Sequence, residues 1–385
     1  MDRPKAHNES FVGVAIYMSV VGPAVFIVQP GLVQAFVTYL GFSEQQAGAV
    51  AAIEMWGIAL TTIVMTALAG RINYHFIFRA ALVIMIIGNL LSSIFHSFEA
   101  FSLARLAVGI GSGALISLGF IIIGKTSNPD RNFGHLVMWV LLFGAVTLAL
   151  MPTILSTFGV NGMLWIFTFM YLAALPLVRR LPQSISQSAL ANTTVELRLS
   201  GLSKSLSIIG VLIFFTGVGV IWTYLALIGS QTGASEQSVA FALTGSQIIG
   251  AGGALSAAII GNRFGRFKPT LMVLILCVVS LATLFGHPSF ALYIIAVCLF
   301  NFSYNFFHPF SYALLALFDS SAEIIKFAVA AQMLGLAIGP SIAAMVVSST
   351  GYNNVVLVSV AMFALTLFAF CLPIFQLADK RQPAI

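Results

Sequence analysis

The chain has 385 residues, 59% of them hydrophobic and 7% charged, and its mean hydropathy is +1.04. An ordinary soluble domain carries roughly 25% charged residues, so this composition excludes a water-soluble globular protein. The net charge of +6 is spread over many loops with no Lys/Arg-rich run, which excludes a nucleic-acid footprint, since that needs a clustered patch or stripe.

A membrane span needs about 20 mostly apolar residues. On that basis the chain predicts an all-α membrane protein of twelve spans: 11–33, 45–70, 76–95, 101–124, 134–157, 162–178, 206–229, 238–260, 269–286, 290–318, 326–348 and 354–377. The start, Met1 to Ser10, is short and polar with Arg3 and Lys5, and an apolar stretch follows without a small-residue cleavage pattern. It reads as an uncleaved first span.

Sixteen of the seventeen Lys and Arg residues fall on one side of these spans. They include Arg71, Arg79, Lys125, Arg131, Arg179, Arg180, Lys204, Arg263, Lys268 and Lys326. The gaps on the other side hold Glu44, His96, Glu99, Glu236 and His287. Cytoplasmic loops carry the excess of basic residues, so a multi-pass protein of the cytoplasmic (inner) membrane with both termini in the cytoplasm is expected. The exception is Arg105, which lies inside span 4. Cys277, Cys298 and Cys371 all fall within apolar segments, with no disulfide or CxxC metal spacing.

The gap at 181–205 is rich in Ser, Gln, Asn and Thr and reads as a linker. It divides the chain into a first bundle, 1–180, and a second, 206–385, of six spans each. The halves repeat. Gly41-Phe42-Ser43-Glu44-Gln45 returns 192 residues later as Gly233-Ala234-Ser235-Glu236-Gln237, and the same shift carries Arg71 onto Arg263. Internal repeats mark many secondary-transporter folds, with the substrate site at the repeat interface near mid-membrane.

Three motifs resemble the major facilitator superfamily, and the resemblance covers nearly the whole chain. Gly261-Asn262-Arg263-Phe264-Gly265-Arg266-Phe267-Lys268 follows span 8 and is similar to that family's loop motif, with Asn262 in place of the Asp. Gly70-Arg71-Ile72-Asn73 is a more degenerate first-half copy. The resemblance implies that this loop's charges help latch one arrangement of the halves. Arg105-Leu106-Ala107-Val108-Gly109-Ile110-Gly111-Ser112-Gly113 in span 4 matches the family's Arg followed by spaced glycines. Gly335-Leu336-Ala337-Ile338-Gly339-Pro340 in span 11 matches its small-residue and proline pattern of a pivoting helix. The Gly-Pro arrangement of proton-driven drug exporters is missing from span 5, which has Gly144 and Pro152 apart.

Glu54 is the sharpest candidate for mechanism. It stands roughly 16 Å along span 2, near the bilayer centre, where an intramembrane carboxyl commonly faces a cavity and serves coupling. It is expected to load and release a proton; the alternative is a structural acid. Gln247 is its counterpart in span 8, one residue off the main register. Arg105 is either a counter-charge for Glu54 or for an anionic solute, or a side chain running outward toward Glu99. On helix rise the depths of Glu54 and Arg105 differ by roughly 10 Å, which leaves their pairing open.

In span 10, Asn301, Tyr304, Asn305 and His308 recur at spacings of three and four, on one face, with Pro309 after them. This face is expected to look inward, and His308 is a candidate second proton carrier, its unperturbed pKa being near 6.5. Tyr17, Trp56, Trp222 and Gln332 are further candidates for a solute site, with core packing as the plainer role. The glycine runs lie inside apolar helices, where small residues let backbones approach, and are not nucleotide cradles.

The sequence therefore predicts a secondary active transporter of a small, neutral or singly charged organic solute, monomeric, without cofactor or metal, coupled to protons through Glu54 with Arg105 and His308, and with export favoured. The alternatives are proton-coupled uptake of a monocarboxylate or aromatic acid with Arg105 as carboxylate partner, and a non-transporting membrane sensor or lipid-handling protein. A transporter predicts a central cavity lined by Glu54 and the span-10 stripe.

Overall fold

A computed structural model of the chain describes residues 11–68, 71–183, 201–261, 263, 265, 267–315, 323–348 and 351–379. Among the described residues all regular structure is helical, and the helices make twelve membrane spans. Span 2 is Glu44–Leu68, span 3 Tyr74–Ile94, span 4 Phe98–Gly124, span 7 Gly201–Ser230, span 8 Glu236–Ile260, span 9 Phe267–Ala282, span 10 Phe290–Leu315, span 11 Glu323–Val346 and span 12 Asn353–Asp379.

Two regions depart from the expected boundaries. Span 1 reaches Leu40, well past the expected end at 33, in three pieces: Val12–Val21, Ala24–Ile27 and Gln29–Leu40. Its breaks fall at Gly22-Pro23 and before Pro30, because a proline gives no N–H to the carbonyl four residues back. Spans 5 and 6 run as Pro129–Leu177 with one non-helical residue, Gly159, at φ 61°. Glycine alone adopts that conformation at no steric cost, so it turns the chain where a loop was expected. The linker predicted at 181–205 has span 7 beginning inside it at Gly201, and Gln183 at its start accepts a hydrogen bond from the Tyr74 N–H at 2.9 Å. Positions 184–200 lie outside the described residues.

Ser97 caps span 4 by accepting from Ala100 N–H, and Ser235 caps span 8 from Ser238 N–H. Both caps belong to the end of the bundle that carries Glu44, Glu99 and Glu236, called the acid end below. Arg71, Arg79, Lys125, Arg131, Arg179, Arg180, Arg263, Lys268 and Lys326 gather at the opposite, basic end.

Spans 2 and 4 cross in backbone contact. A Cβ on Gly57 would stand 2.8 Å from the Leu106 carbonyl oxygen, and Cβ atoms on Gly109 and Gly113 would strike the carbonyls of Glu54 and Ile58. Spans 8 and 10 cross in the same way, Gly253 lying on the Phe302 backbone. Spans 7 and 11 meet through Gly219, Gly335, Gly339 and Pro340, where a Cβ on Gly335 would be 2.6 Å from the Leu212 oxygen.

Candidate functional site

The glycine contact between spans 2 and 4 determines where the charges go. Arg105 stands one turn before Gly109, and Gly109 lies on the peptide of Glu54, so both side chains turn into the same interior. Arg105 is 0% and Glu54 4% exposed, and Arg105 Nη1 is 4.0 Å from Glu54 Oε2. Arg105 Nη2 donates to Asn89 Oδ1 of span 3, and Asn89 Nδ2 donates to the Leu164 carbonyl of span 6 at 3.4 Å. Tyr171 of span 6 is fully buried within electrostatic reach of both charges.

These four residues form a polar cluster inside the first half. Its demand for partners is incompletely met. Glu54 Oε1 and Arg105 Nε and Nη1 have no hydrogen-bond partner among the described residues. A buried pair in this condition is sensitive to any change in charge, because little else compensates either ion.

Of the two alternatives for Arg105, the structure shows the inward one. Arg105 does not run outward to Glu99. Span 4 starts at Phe98 rather than 101, which places Arg105 about 4.5 Å deeper, and the long side chain covers the remaining distance to Glu54. The Glu54 carboxylate faces Arg105 of span 4 in its own half.

The span-10 stripe divides into two rows. Asn301 Nδ2 donates to Ser246 Oγ of span 8 at 2.8 Å, and Asn305 Nδ2 returns to the Asn301 carbonyl at 2.9 Å beside Gly250. Tyr304 and His308 stand in a ladder with Phe300 and Tyr312, ring centroids 5.4 to 6.4 Å apart. His308 meets the Phe215 ring of span 7 edge-on at 5.1 Å and the Tyr312 ring at 5.4 Å, and the Tyr312 hydroxyl donates to Gln332 of span 11. A spacing of three residues rotates a helix by about 300°. The rows are therefore some 60° apart, one facing span 8 and the other facing spans 7 and 11.

Between the halves, hydrogen bonds of described residues gather toward the acid end. The Tyr352 hydroxyl donates to Glu44 Oε1 at 2.6 Å, the Tyr224 hydroxyl to the Glu44 carbonyl at 2.7 Å, and the Tyr39 hydroxyl to Glu236 Oε2 at 3.3 Å. Gln34 Nε2 donates to Ser230 Oγ at 3.0 Å, and Gln237 Nε2 to the Ala149 carbonyl at 3.0 Å. Nearer mid-membrane, Trp56 Nε1 donates to Ser341 Oγ at 3.1 Å and Trp222 Nε1 to the Phe26 carbonyl at 3.0 Å. Gln247 lies across the interface from Gly144 of span 5.

Other candidates sit elsewhere. The Tyr17 hydroxyl donates to Met170 O at 3.0 Å inside the first half. Arg71 and Arg263 are exposed at the basic end, where Gly261 and Gly265 have φ 47° and 70°; Asn262 and Arg266 lie outside the described residues. Among the described residues no three His, Cys, Asp or Glu side chains gather to hold a metal ion.

Sequence reasoning passed over Asn89, Tyr171, Tyr352 and the Phe26 carbonyl. A signal existed for two of them. Asn89 is an amide inside the apolar run of span 3, and Phe26 stands four residues before Pro30.

Twelve apolar spans in two repeated halves, closed against each other at one end and holding a buried ion pair, define a multi-pass membrane transporter. The family model for the Major Facilitator Superfamily matches residues 14–322. The chain belongs to that superfamily. Three solved structures share its fold. The nucleoside transporter NupG is 14% identical with a TM-score of 0.75, covering 95% of this chain and 99% of that one. A D-xylose-proton symporter is 16% identical with a TM-score of 0.75, covering 95% and 98%. A bacterial homologue of the human lysosomal transporter Spinster, inward-facing and unoccupied, is 13% identical with a TM-score of 0.71, covering 100% of each chain. No curated protein sequence matches the chain.

Proposed function

We propose that this transporter moves a small, neutral or singly charged organic solute across the cytoplasmic membrane by alternating access, coupled to protons, as a monomer with its basic end and both termini in the cytoplasm. Export is the favoured direction. The observation that carries the coupling is the buried Glu54–Arg105 pair with its unpartnered oxygen and nitrogens.

Protonating Glu54 removes the only counter-charge drawn against Arg105 within the cluster. Breaking one side of a buried pair costs about 3–5 kcal/mol, and about 5.5 kcal/mol moves a two-state equilibrium from 1:99 to 99:1. The proton therefore has the energetic scale needed to switch the protein. Span 2 carries the effect to the interface, because the helix that holds Glu54 also holds Trp56 and Glu44, both bonded to the second half. His308 is the second candidate proton carrier, linked to spans 7 and 11.

The aromatic and amide groups at Tyr304, Asn305 and His308 suit an uncharged, hydroxylated or partly apolar solute. The nucleoside transporter and the D-xylose-proton symporter that share the fold support the same class. Arg105 is enclosed in its own half and bonded to Asn89, which argues against a solute carboxylate as its partner.

The test is uptake into proteoliposomes over a panel of sugars, nucleosides and aromatic amines, with and without an imposed pH gradient, for wild type and Glu54→Gln. A gradient-driven flux in wild type that is lost in Glu54→Gln, with solute exchange retained, is expected. Equal responses of both proteins to the gradient would reduce Glu54 to a structural acid.

A further inference from the structure

In an α-helix the carbonyl of one residue accepts from the N–H four residues on. For Phe26 that residue is Pro30, which has no N–H. The helix Ala24–Ile27 ends there, and the next piece, Gln29–Leu40, begins with Pro30 in its first turn, where a missing N–H is tolerated. The Phe26 carbonyl keeps a local contact only from the Val28 N–H. Its full hydrogen bond comes from the second half, from the Trp222 indole of span 7 at 3.0 Å.

Trp222 is buried, and Phe26 packs in one small cluster with Trp56, Met333 and Ala337 at the plane between the halves. A bond within one half would survive a rocking motion. This one crosses from half to half, so it breaks whenever the acid end opens. The neighbouring Trp56–Ser341 bond is less demanding, because Ser341 Oγ also donates to the Ala337 carbonyl at 3.0 Å and keeps that partner.

We propose that Trp222 and the carbonyl that Pro30 frees on Phe26 form a mid-membrane pin that holds the acid end closed during transport. The inference rests on the alternating-access reading above. It assigns Pro30 a positioning role, since the proline creates the acceptor, and it moves Trp222 from solute binding to gating.

The test uses spin labels on cysteines placed at His96 and His287, exposed acid-end positions on opposite halves, in a background whose three native cysteines are replaced by alanine. Distance distributions are recorded in lipid nanodiscs at mildly acidic and mildly alkaline pH. Trp222→Phe keeps an aromatic side chain and removes the indole N–H. Pro30→Ala gives residue 30 an N–H that competes for the Phe26 carbonyl.

Each is expected to raise the ratio of open to closed molecules roughly three- to ten-fold, the equivalent of one net hydrogen bond. The double variant is expected to do no more than the larger single one, because both act on the same bond. Trp139→Phe, on an exposed face, is expected to leave the ratio unchanged. Two populations in wild type that neither variant shifts, or full additivity in the double variant, overturn the pin and leave transport standing. One distance, unmoved by pH or by any variant, overturns the alternating-access reading together with the pin.

Discussion

Spans 2, 3, 4 and 6 of the first half and spans 8, 9, 10 and 12 of the second are built to one plan and filled with opposite chemistry. The cluster Glu54, Asn89, Arg105 and Tyr171 maps, 192 residues on, to Ser246, Leu281, Val297 and Phe363, all buried. The contact between Gly109 and Glu54 becomes the hydrogen bond between Asn301 and Ser246. In the first half a small residue on span 4 makes room for a charged one on span 2. In the second, a large amide on span 10 reaches a small hydroxyl on span 8. One backbone crossing thus holds a charged, incompletely partnered site in one half and a neutral, hydrogen-bonded joint in the other.

The comparison can be broken most sharply at Arg105. Arg105→Met leaves Glu54 buried without a counter-ion and is expected to destabilise the protein by about 3–5 kcal/mol, read as a loss of thermal unfolding midpoint in detergent. Adding Glu54→Gln is expected to recover most of that loss. If the single variant is as stable as wild type, the pair carries little of the first half's energetics and the contrast with Val297 is only compositional.

Gly109→Ala comes next. Its methyl would press on the Glu54 carbonyl and force spans 2 and 4 apart, for an expected loss of about 1–3 kcal/mol. Asn301→Ala, at the matching position, is a milder change. It removes a neutral hydrogen bond and is expected to cost about 1 kcal/mol, with the pH dependence of transport kept. A larger loss at Asn301 than at Gly109 would reverse the assignment of which half tolerates change.

Tyr352→Phe should have the smallest effect. It removes one cross-half donor to Glu44 at a site partly open to water, where solvent can replace the donor, and is expected to lengthen the acid-end label distances slightly. No change in those distances would place the closure at the mid-membrane contacts alone.

Much of this arrangement was legible in the chain. The number of spans and the repeat follow from apolar length and from paired Ser-Glu-Gln triplets, and Arg105 stood out as the one basic residue away from the basic end. The pairing of Glu54 with Arg105 was not legible, because it depended on span 4 starting three residues earlier than its apolar run suggests. The division of the span-10 stripe was hidden too. Asn301, Tyr304, Asn305 and His308 fall within one broad face by spacing, yet three different neighbours share that face.

Composition, loop charge and the paired Ser-Glu-Gln triplets determine that the chain is a twice-repeated membrane bundle with an acid and a basic end, since lipid demands long apolar helices and their ends must meet water and headgroups. What they leave open is rotation about each helix axis. A span that is apolar all round has no preferred face, so no periodicity reveals that Glu54 looks into its own half or that Trp222 reaches for the other. That choice is made by close contacts: glycines that let spans 2 and 4 touch at one register, and a proline that strips a carbonyl of its local partner. Such contacts exist only when helices far apart in the chain are brought together.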